Sequence, residues 1–267
     1  MNGHQDYHIH SYYSDGKLSP EAIVDRWEAE GYTEIAITDH DEYEGSKQAI
    51  QYAKGRSIRV IPGIECSTKH VTGDEIHILG YGFRFGEPAM DEALNRMHRL
   101  RAARNDRLQK ALASMGYPVT TDELFAVNEG RYIGKPTFAE AIVRKGWAED
   151  VNTVFRDIYA APEIAAVQKE FLPTDEVVRF IHEAGGLVVM AHPMEIRRRG
   201  EGEAFQERLK SLLGEMVGLG IDGIECVHPS AKEEEQEWLR HYARGAGLIV
   251  TQGSDFHSDR KERCYEN

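Results

Sequence analysis

Short apolar runs recur along the chain, and segments with helical patterns separate most of them. The predicted strands are Gln5–His10, Glu34–Asp39, Arg59–Glu65, Glu75–Tyr81, Gly186–His192, Asp222–His228 and Leu248–Gly253. Alternation of strands with helices favours a parallel sheet with helices outside it. Seven strands favour a closed α/β barrel over an open, doubly wound sheet.

Two of the intervening segments carry residues that start and stop helices. In SPEAIVDRWEAEG, Ser19 is the predicted N-cap, Pro20 occupies the first helical position and Gly31 ends the helix. The segment PTDEVVRFIHEAGG repeats this arrangement, with Thr174 as its predicted N-cap and two glycines as its stop.

The alternation stops between about Phe83 and Leu172, where the pattern is helical throughout. We therefore predict a barrel domain from residues 1–82 and 173–267, with residues 83–172 as a helical insertion. A long helix in this insertion is basic, and its cations Arg101, Arg104, Arg107 and Lys110 recur three residues apart. Such a run is either a solvated helix face or a set of cations that covers the barrel mouth and binds an anionic substrate.

The chain of 267 residues is 41% hydrophobic, which suits one barrel domain with a sizeable core. No apolar run approaches the roughly 20 residues that a membrane-spanning helix needs. The amino-terminal sequence MNGHQDYH lacks the basic and apolar regions of a signal peptide. We therefore expect a cytoplasmic protein with no membrane partner.

The formal net charge of −13 argues against general binding of duplex DNA, because an acidic protein repels a long polyanion. A short nucleotide or a small phosphate ester is still compatible with a metal site or a local basic patch. The three cysteines, Cys66, Cys226 and Cys264, show no C-x-x-C spacing. They are expected to be free thiols rather than a disulfide framework or a zinc site.

Histidines are concentrated near the ends of the predicted strands. Of the twelve in the chain, we place seven at or just beyond the carboxyl end of a predicted strand: His8, His10, His40, His77, His192, His228 and His257. The carboxylates Asp15, Glu65 and Asp255 lie in similar positions. Because the carboxyl ends of barrel strands form one face that carries the chemistry, these side chains are predicted to converge.

Imidazoles and carboxylates without thiolates suit Mn²⁺, Fe²⁺ or Zn²⁺. His8 and His10 are two residues apart, so on a strand both imidazoles lie on one face and can reach the same ion. Glu65 is the candidate to bridge two ions through its two oxygens. The number of candidate ligands exceeds what one ion binds and suits two or three ions.

Six motifs, in the order DYHIHSYYSDG, ITDHD, PGIEC, IHILGY, MAHP and GSDFH, resemble the signature of the PHP (polymerase and histidinol phosphatase) superfamily. They extend from Asp6 to His257. The resemblance implies a distorted (β/α)₇ barrel with a trinuclear metal centre. The insertion, GKPTFAEAIVRKG and GIECVHPS are most similar to the branch that acts on nucleotide phosphates and short RNA ends. That branch includes hydrolases of nucleoside 3′,5′-bisphosphates.

The resemblance also implies a ligand set for three metals. His8, His10, Glu65 and Asp255 would bind the first metal; Glu65, His77 and His192 the second; and Asp15, His40 and His257 the third. Asp6 and Asp39 would each orient an imidazole through its distal N–H, or else make an ordinary turn or strand-end hydrogen bond.

The sequence departs from this branch at Lys135-Pro136-Thr137, where the branch often has Arg-Pro-His. Lysine keeps the positive charge but loses the bidentate fork with which arginine binds phosphate. The predicted substrate contacts are Lys135, Arg104 and His228, and the predicted catalytic residues are Glu65 and His228. A hydroxide that bridges the first two metals would attack phosphorus, while the third metal, together with Lys135 and His228, would hold the phosphate oxygens.

We therefore predict a metal-dependent phosphoesterase of nucleoside 3′,5′-bisphosphates, nucleoside monophosphates or short RNA ends. Its expected cofactors are three divalent ions, with Mn²⁺ preferred and Fe²⁺ or Zn²⁺ as alternatives. We expect a monomer or a small homo-oligomer. Two other hypotheses stay open at this point: a histidinol-phosphate phosphatase, and a non-catalytic barrel that binds metal.

Overall fold

The structure is a computed structural model that describes residues 4–128 and 132–258, so that Cys264 lies outside the described residues. Its strands overlap all seven predicted ones. In chain order they are β1 (His4–Ile9), β2 (Tyr32–Ile37), β3 (Arg59–Ile61), β4 (Gly63–Lys69), β5 (Glu75–Tyr81), β6 (Leu172–Pro173), β7 (Leu187–Met190), β8 (Gly223–Val227) and β9 (Ile249–Gln252). The predicted strand Arg59–Glu65 is interrupted at Pro62, which has no N–H to donate to a neighbouring strand.

The α-helices lie between these strands, and several of them lie between β5 and β6. They are α1 (Pro20–Ala29), α2 (Glu44–Tyr52), α3 (Pro88–Ser114), α4 (Thr121–Asn128), α5 (Lys135–Arg144), α6 (Val151–Thr153), α7 (Pro162–Ala165), α8 (Thr174–Glu183), α9 (Ala204–Leu219) and α10 (Glu233–Gly245). No helix in the described ranges is both long and apolar enough to cross a bilayer.

One of the two predicted helix caps is confirmed. The side chain of Ser19 accepts a hydrogen bond from the backbone N–H of Ala22 at 3.1 Å and caps α1. The prediction for Thr174 is wrong, because α8 begins at Thr174 itself and Pro173 is the capping position. The hydroxyl of Thr174 instead lies 2.8 Å from the hydroxyl of Thr68 and joins the start of α8 to β4.

The strands form a parallel sheet, β1-β2-β3, and a six-stranded sheet in the order β6-β4-β5-β7-β8-β9. The prediction of a parallel sheet is wrong for β5, which runs antiparallel to β4 and β7. A short turn joins β4 to β5, and such a turn can connect only antiparallel neighbours. Isolated parallel bridges pair Ile9 with Phe256 and His40 with Glu65, and so relate the two sheets.

The observed strands correct two predicted positions. His77 is the third residue of β5, so it lies near the amino end of its strand and not at a carboxyl end. An antiparallel strand presents its amino end where its parallel neighbours present their carboxyl ends, so His77 still reaches the edge that carries the other histidines. Glu65 is the third residue of β4 and lies inside the strand rather than at its end.

The buried apolar residues form separate clusters. The main cluster packs the six-stranded sheet against α8, α9 and the first half of α3, and it contains Cys66 and Cys226. A second cluster lies entirely between Leu108 and Ile164, within the helical segment that the sequence predicts as an insertion. Helix α3 belongs to both clusters, so this one long helix joins the segment to the sheet.

Candidate metal centre

The carboxylate of Glu65 is fully buried and lies among imidazoles. Its Oε1 is 2.9 Å from Nδ1 of His77 and 2.9 Å from Nε2 of His192. Its Oε2 is 2.9 Å from Nδ1 of His40 and 3.4 Å from Nε2 of His10. The two oxygens therefore face different histidines, which is the arrangement that a carboxylate between two cations requires.

Asp255 adds a second carboxylate to one side of this group. Its Oδ1 is 3.1 Å from Nε2 of His10 and 3.3 Å from Nε2 of His8. Nε2 of His8 is also 3.5 Å from Oε2 of Glu65. The ring atoms of His8 and His10 thus point at the same two carboxylates, in agreement with their two-residue spacing at the end of β1.

Asp15 is the centre of a third group. Its Oδ1 lies 3.2 Å from Nε2 of His257 and 3.8 Å from Nδ1 of His10, and its Oδ2 lies 3.8 Å from Nε2 of His40. His10 and His40 therefore face Asp15 with one ring nitrogen and Glu65 with the other. The structure brings all nine predicted ligands together in three adjoining groups.

Several atoms in these groups are buried and have no hydrogen-bond partner. They are Nε2 of His8, Nε2 of His10, Nδ1 of His40, Oε2 of Glu65 and Oδ1 of Asp15. A buried polar atom without a partner costs about 1–3 kcal/mol, so a cluster of them is unfavourable unless something else satisfies it. Divalent cations would do so, and the imidazole and carboxylate donors suit Mn²⁺, Fe²⁺ or Zn²⁺. The residues present therefore fit bound divalent ions.

Burial and neighbouring charges determine the pKa values in the centre. Burial by itself would raise the pKa of Glu65, but the imidazoles of His40, His77 and His8 hold that pKa well below its usual range. Burial lowers the pKa of His10 to about 3. An ionised Glu65 and a neutral His10 are the forms that bind a cation.

The backbone is strained beside the centre. Among the described residues other than glycine, positive φ angles occur at Asp41 (52°), His192 (25°) and Asp255 (50°). His192 and Asp255 contact the carboxylate and imidazole groups described above, and Asp41 follows His40 directly. Such conformations cost of order 1–3 kcal/mol each and persist only where the surroundings enforce them, often at functional sites.

Asp39 acts on an imidazole through a serine. Its Oδ1 accepts hydrogen bonds from the hydroxyl of Ser14 at 2.6 Å and from the backbone N–H of Ser11 at 2.8 Å. The same Ser14 hydroxyl lies 3.3 Å from Nδ1 of His10. Asp39 therefore does not make the predicted direct contact with an imidazole but is linked to His10 through the hydroxyl of Ser14.

Asp6 does not have the predicted role of orienting an imidazole ring. Its oxygens accept from the indole N–H of Trp27 at 2.9 Å, from the hydroxyl of Ser254 at 2.6 Å and from the backbone N–H of His8 at 3.2 Å. Asp6 therefore makes structural hydrogen bonds, as in the alternative interpretation, but it does so from inside β1 rather than from a strand end. It joins β1 to α1 and to the segment after β9.

Two cations of the basic helix α3 are buried, contrary to the interpretation of that helix as a solvated face. Arg101 and Arg104 are only 8% and 5% exposed, whereas Arg107 is exposed. Nη1 of Arg101 donates to the backbone oxygen of His40 at 3.4 Å, which places this helix against the metal centre. Nε of Arg104 is buried without a hydrogen-bond partner.

Two lysines extend this group of cations. Lys135 is the first residue of α5, and burial together with the charge of Arg104 lowers the pKa of Lys135. Lys169, which the sequence analysis missed, has its Nζ 3.8 Å from Oδ2 of Asp41. No pattern around Lys169 distinguishes it in the sequence. We refer to Arg101, Arg104, Lys135 and Lys169 as the cation cluster.

Thr137, at the third position of the departure from Arg-Pro-His, makes hydrogen bonds at the start of α5. Its hydroxyl accepts a hydrogen bond from the backbone N–H of Gly134 at 3.1 Å and donates to the backbone oxygen of Tyr132 at 3.3 Å. Thr137 thus holds the start of α5, the helix that begins with Lys135.

His228 lies beside the predicted ligands and is 4% exposed. Its Nδ1 accepts a hydrogen bond from the backbone N–H of Ser230 at 3.1 Å. Because that N–H can only donate, the hydrogen of a neutral His228 ring resides on Nε2. Nε2 lies 3.4 Å from Oδ2 of Asp255 without forming a hydrogen bond. His228 therefore offers an N–H donor to the centre, whereas a metal ligand offers a lone pair.

Known proteins resemble this chain over nearly its whole length. A family model described as the PHP domain matches residues 6–257. The 5′-3′ exoribonuclease of Haemophilus influenzae is 30% identical over 257 residues, which cover 96% of this chain and 91% of that protein. The 3′,5′-nucleoside bisphosphate phosphatase of Chromobacterium violaceum is 29% identical over 257 residues, which cover 95% of this chain and 87% of that protein.

A solved structure has a similar fold. An amidohydrolase from Chromobacterium violaceum, solved with bound sulfate and no metal, matches with a TM-score of 0.84 and 28% identity. The match covers 97% of this chain and 89% of that structure.

Proposed function

The chain belongs to the PHP domain family, and we propose that its metal centre hydrolyses phosphate esters of small nucleotides or short RNA ends. It has the α/β fold of PHP-like metal-dependent phosphoesterases and is a phosphoric ester hydrolase. The proposed substrates are nucleoside 3′,5′-bisphosphates, nucleoside monophosphates or short RNA ends, which agrees with the names of the relatives. The observation that carries this proposal is the position of Glu65. Its two oxygens face separate imidazole groups, beside the cation cluster.

The finer architecture is part of the proposal. We infer a distorted (β/α)₇ barrel formed by residues 1–82 and 173–267, with residues 83–172 as a cap over its mouth. The bridges of Ile9 with Phe256 and of His40 with Glu65 support closure, because each joins a strand of one sheet to the segment that follows a strand of the other sheet. The apolar cluster between Leu108 and Ile164 supports a cap with a core of its own.

We further infer three divalent ions, with Mn²⁺ preferred. The proposed ligands are His8, His10, Glu65 and Asp255 for the first ion; Glu65, His77 and His192 for the second; and Asp15, His40 and His257 for the third. When bound, such ions lower the pKa of water and neutralise charge on phosphoryl oxygens. The unpartnered buried atoms of these residues support the ligand set.

The cation cluster would hold a second anionic group of the substrate. Four cations lie near three carboxylates, Asp41, Glu42 and Glu75, which favour the charged forms of these cations. The cluster therefore has more positive than negative charge, and an anionic phosphate group would complement it. Histidinol phosphate fits less well, because its amine is cationic and the cluster would repel it.

His228 would donate its Nε2–H to a phosphoryl oxygen as negative charge develops there. Lys135 and Arg104 would orient the remainder of the substrate. No side-chain nucleophile is part of this proposal: the hydroxyls of Ser11 and Ser14 donate to Asp39, and Cys66 is buried in the main apolar cluster.

The Mn²⁺-loaded protein should be tested against a panel of phosphate esters that includes nucleoside 3′,5′-bisphosphates, nucleoside monophosphates, short 5′-phosphorylated RNA and histidinol phosphate. We expect the highest kcat/KM on a substrate with two phosphates. The highest kcat/KM on histidinol phosphate would contradict the proposed substrate class. Metal binding without hydrolysis of any ester would contradict the enzymatic function.

A further inference from the structure

The tetrapeptide GIEC occurs twice in the sequence, at Gly63–Cys66 and Gly223–Cys226. Both copies begin a strand, β4 and β8, and both place their glutamate at the third position of that strand. Glu65 and Glu225 are each 0% exposed, and the cysteine after each of them packs in the main apolar cluster. The two glutamates thus occupy the same position within their strands, yet only Glu65 belongs to the proposed ligand set.

The imidazole of His8 lies between these two glutamates. Its Nε2 is 3.5 Å from Oε2 of Glu65, and its Nδ1 is 3.0 Å from Oε1 of Glu225. A carboxylate can only accept hydrogen bonds, so Nδ1 of His8 carries the hydrogen. A ring with its hydrogen on Nδ1 keeps a lone pair on Nε2, which points at Glu65 and Asp255.

Glu225 also holds a second proposed ligand. Its Oε2 accepts a hydrogen bond from the backbone N–H of His192 at 2.8 Å. His192 has a positive φ of 25°, which is strained for a histidine and needs such support. One buried carboxylate therefore contacts a proposed ligand of the first ion and a proposed ligand of the second.

The chain makes room for this carboxylate at Gly253. A Cβ atom at Gly253 would lie 2.5 Å from Oε1 of Glu225 and 2.2 Å from Cβ of His8, distances that exclude any side chain there. The contact between His8 on β1 and Glu225 on β8 thus depends on a glycine that directly follows β9.

We propose that Glu225 is a positioning residue, which sets the tautomer of His8 and the backbone of His192 for metal binding. This inference rests on the proposed ligand set. It also explains why two identical tetrapeptides differ in role: Glu65 faces the nitrogen of His8 that bears the lone pair, and Glu225 faces the nitrogen that bears the hydrogen. Carboxylates that hold ligating histidines in this way increase metal affinity.

The informative substitution is Glu225→Gln, which keeps the shape of the side chain. His8 and His192 face different oxygens of Glu225, so the single oxygen of the amide can accept from one of them but not from both. We expect the affinity for Mn²⁺, measured by titration of the metal-free protein without substrate, to fall about 10- to 100-fold. In the Zn²⁺-loaded protein, the Nδ1–H resonance of His8 should be protected from exchange in the parent and lose that protection in the variant.

Cys226→Ala is the matched control, because it alters the next residue of the same strand but faces the apolar cluster. It should lower the melting temperature of the metal-free protein and leave its Mn²⁺ affinity near that of the parent. Glu225→Gln should instead lower the Mn²⁺ affinity and leave the melting temperature of the metal-free protein unchanged or higher, since a buried carboxylate is replaced by a neutral group.

Unchanged Mn²⁺ affinity together with a protected His8 resonance in Glu225→Gln would overturn the proposal. Equal losses of affinity in Glu225→Gln and Cys226→Ala would also overturn it, because they would indicate a packing effect. Neither measurement uses a substrate, so their outcome is separate from that of the phosphoesterase assays.

Discussion

Oε1 of Glu65 on β4 lies 2.9 Å from Nε2 of His192, which follows β7, although β5 lies between these two strands in the sheet. The same oxygen is 2.9 Å from Nδ1 of His77 on β5 itself. One carboxylate oxygen therefore joins residues from three adjacent strands. Glu65→Gln removes the charge and replaces one accepting oxygen with a donor, so we expect metal content and kcat to fall together, with kcat lower by about 100-fold or more.

The control for Glu65→Gln is His241→Ala, which removes an exposed histidine from α10. It should leave metal content and rate unchanged. His98 is less suitable as a control, because its Nε2 lies 2.7 Å from the backbone oxygen of Asp41 beside the centre. If Glu65→Gln keeps its metal and loses only a few-fold in rate, Glu65 does not bridge two ions.

Metal removal should abolish activity and lower stability. Chelation should eliminate hydrolysis, and Mn²⁺ should restore it, since the unpartnered atoms of the centre need cations. At an ion concentration about 100 times Kd, binding to one site stabilises the folded state by about 2.7 kcal/mol, which a shift in melting temperature would reveal. Elemental analysis should give at least two, and up to three, ions per chain. A single ion in metal-replete protein would contradict the trinuclear proposal.

Lys135→Ala should separate substrates by the number of their phosphates. We expect KM for a nucleoside 3′,5′-bisphosphate to rise more than KM for p-nitrophenyl phosphate, because only the former has a second phosphate for the cation cluster. KM for the bisphosphate should also rise with salt, since charge contacts are screened over about 10 Å at 0.1 M.

Arg107→Ala is the paired control for Lys135→Ala, because Arg107 is exposed on the same basic helix as Arg104. Lys169→Ala should resemble Lys135→Ala if both lysines bind the second phosphate. Equal effects of Lys135→Ala on the two substrates would place Lys135 at the reacting phosphate or in folding instead.

His228 should affect rate without affecting metal content. His228→Ala removes the Nε2–H donor, and loss of one such donor typically lowers kcat about 10²- to 10³-fold. His228→Gln restores an N–H at a similar distance from the backbone and should recover part of that loss. Metal analysis of both variants checks the assignment, because a parallel loss of ions would make His228 a ligand rather than a donor.

Asp74 should make stability depend on pH. Burial alone would raise the pKa of Asp74, but Arg198, Thr72 and Arg208 hold that pKa below its usual value. The stabilisation is therefore fully present above the unfolded pKa of about 3.9 and is lost as pH falls through the lower, folded pKa. Asp74→Asn should cost about 1–3 kcal/mol at pH 7.

The measurement for Asp74 is urea unfolding of the parent and of Asp74→Asn across pH, in metal-free protein. The difference in unfolding free energy should shrink below about pH 4. A difference that stays constant with pH would mean that the charge of Asp74 contributes nothing. Asp25→Asn, at a carboxylate on the exposed side of α1, is the control, and it should show a small difference at every pH.

Local pattern and residue chemistry were enough to predict the strands, the cap at Ser19 and a convergence of histidines and carboxylates, from which the family resemblance implied the nine candidate ligands. Apolar runs mark strands because neighbouring residues alternate between faces, and histidine with carboxylate marks metal chemistry wherever the chain brings them together. The two-residue spacing of His8 and His10 predicted that both rings lie on one face, and both rings point at Oε2 of Glu65.

Only the tertiary structure decided the direction of β5, the partners of Asp6, the burial of Arg101 and Arg104, and the contacts of Lys169 and Glu225. Each of these depends on which distant segment lies next to the residue, and a local pattern carries no information about that neighbour. Glu65 and Glu225 illustrate the point, because the same four letters surround both. The nitrogen of His8 that each glutamate faces, and hence its role, follows from where β4 and β8 lie relative to β1 of the other sheet.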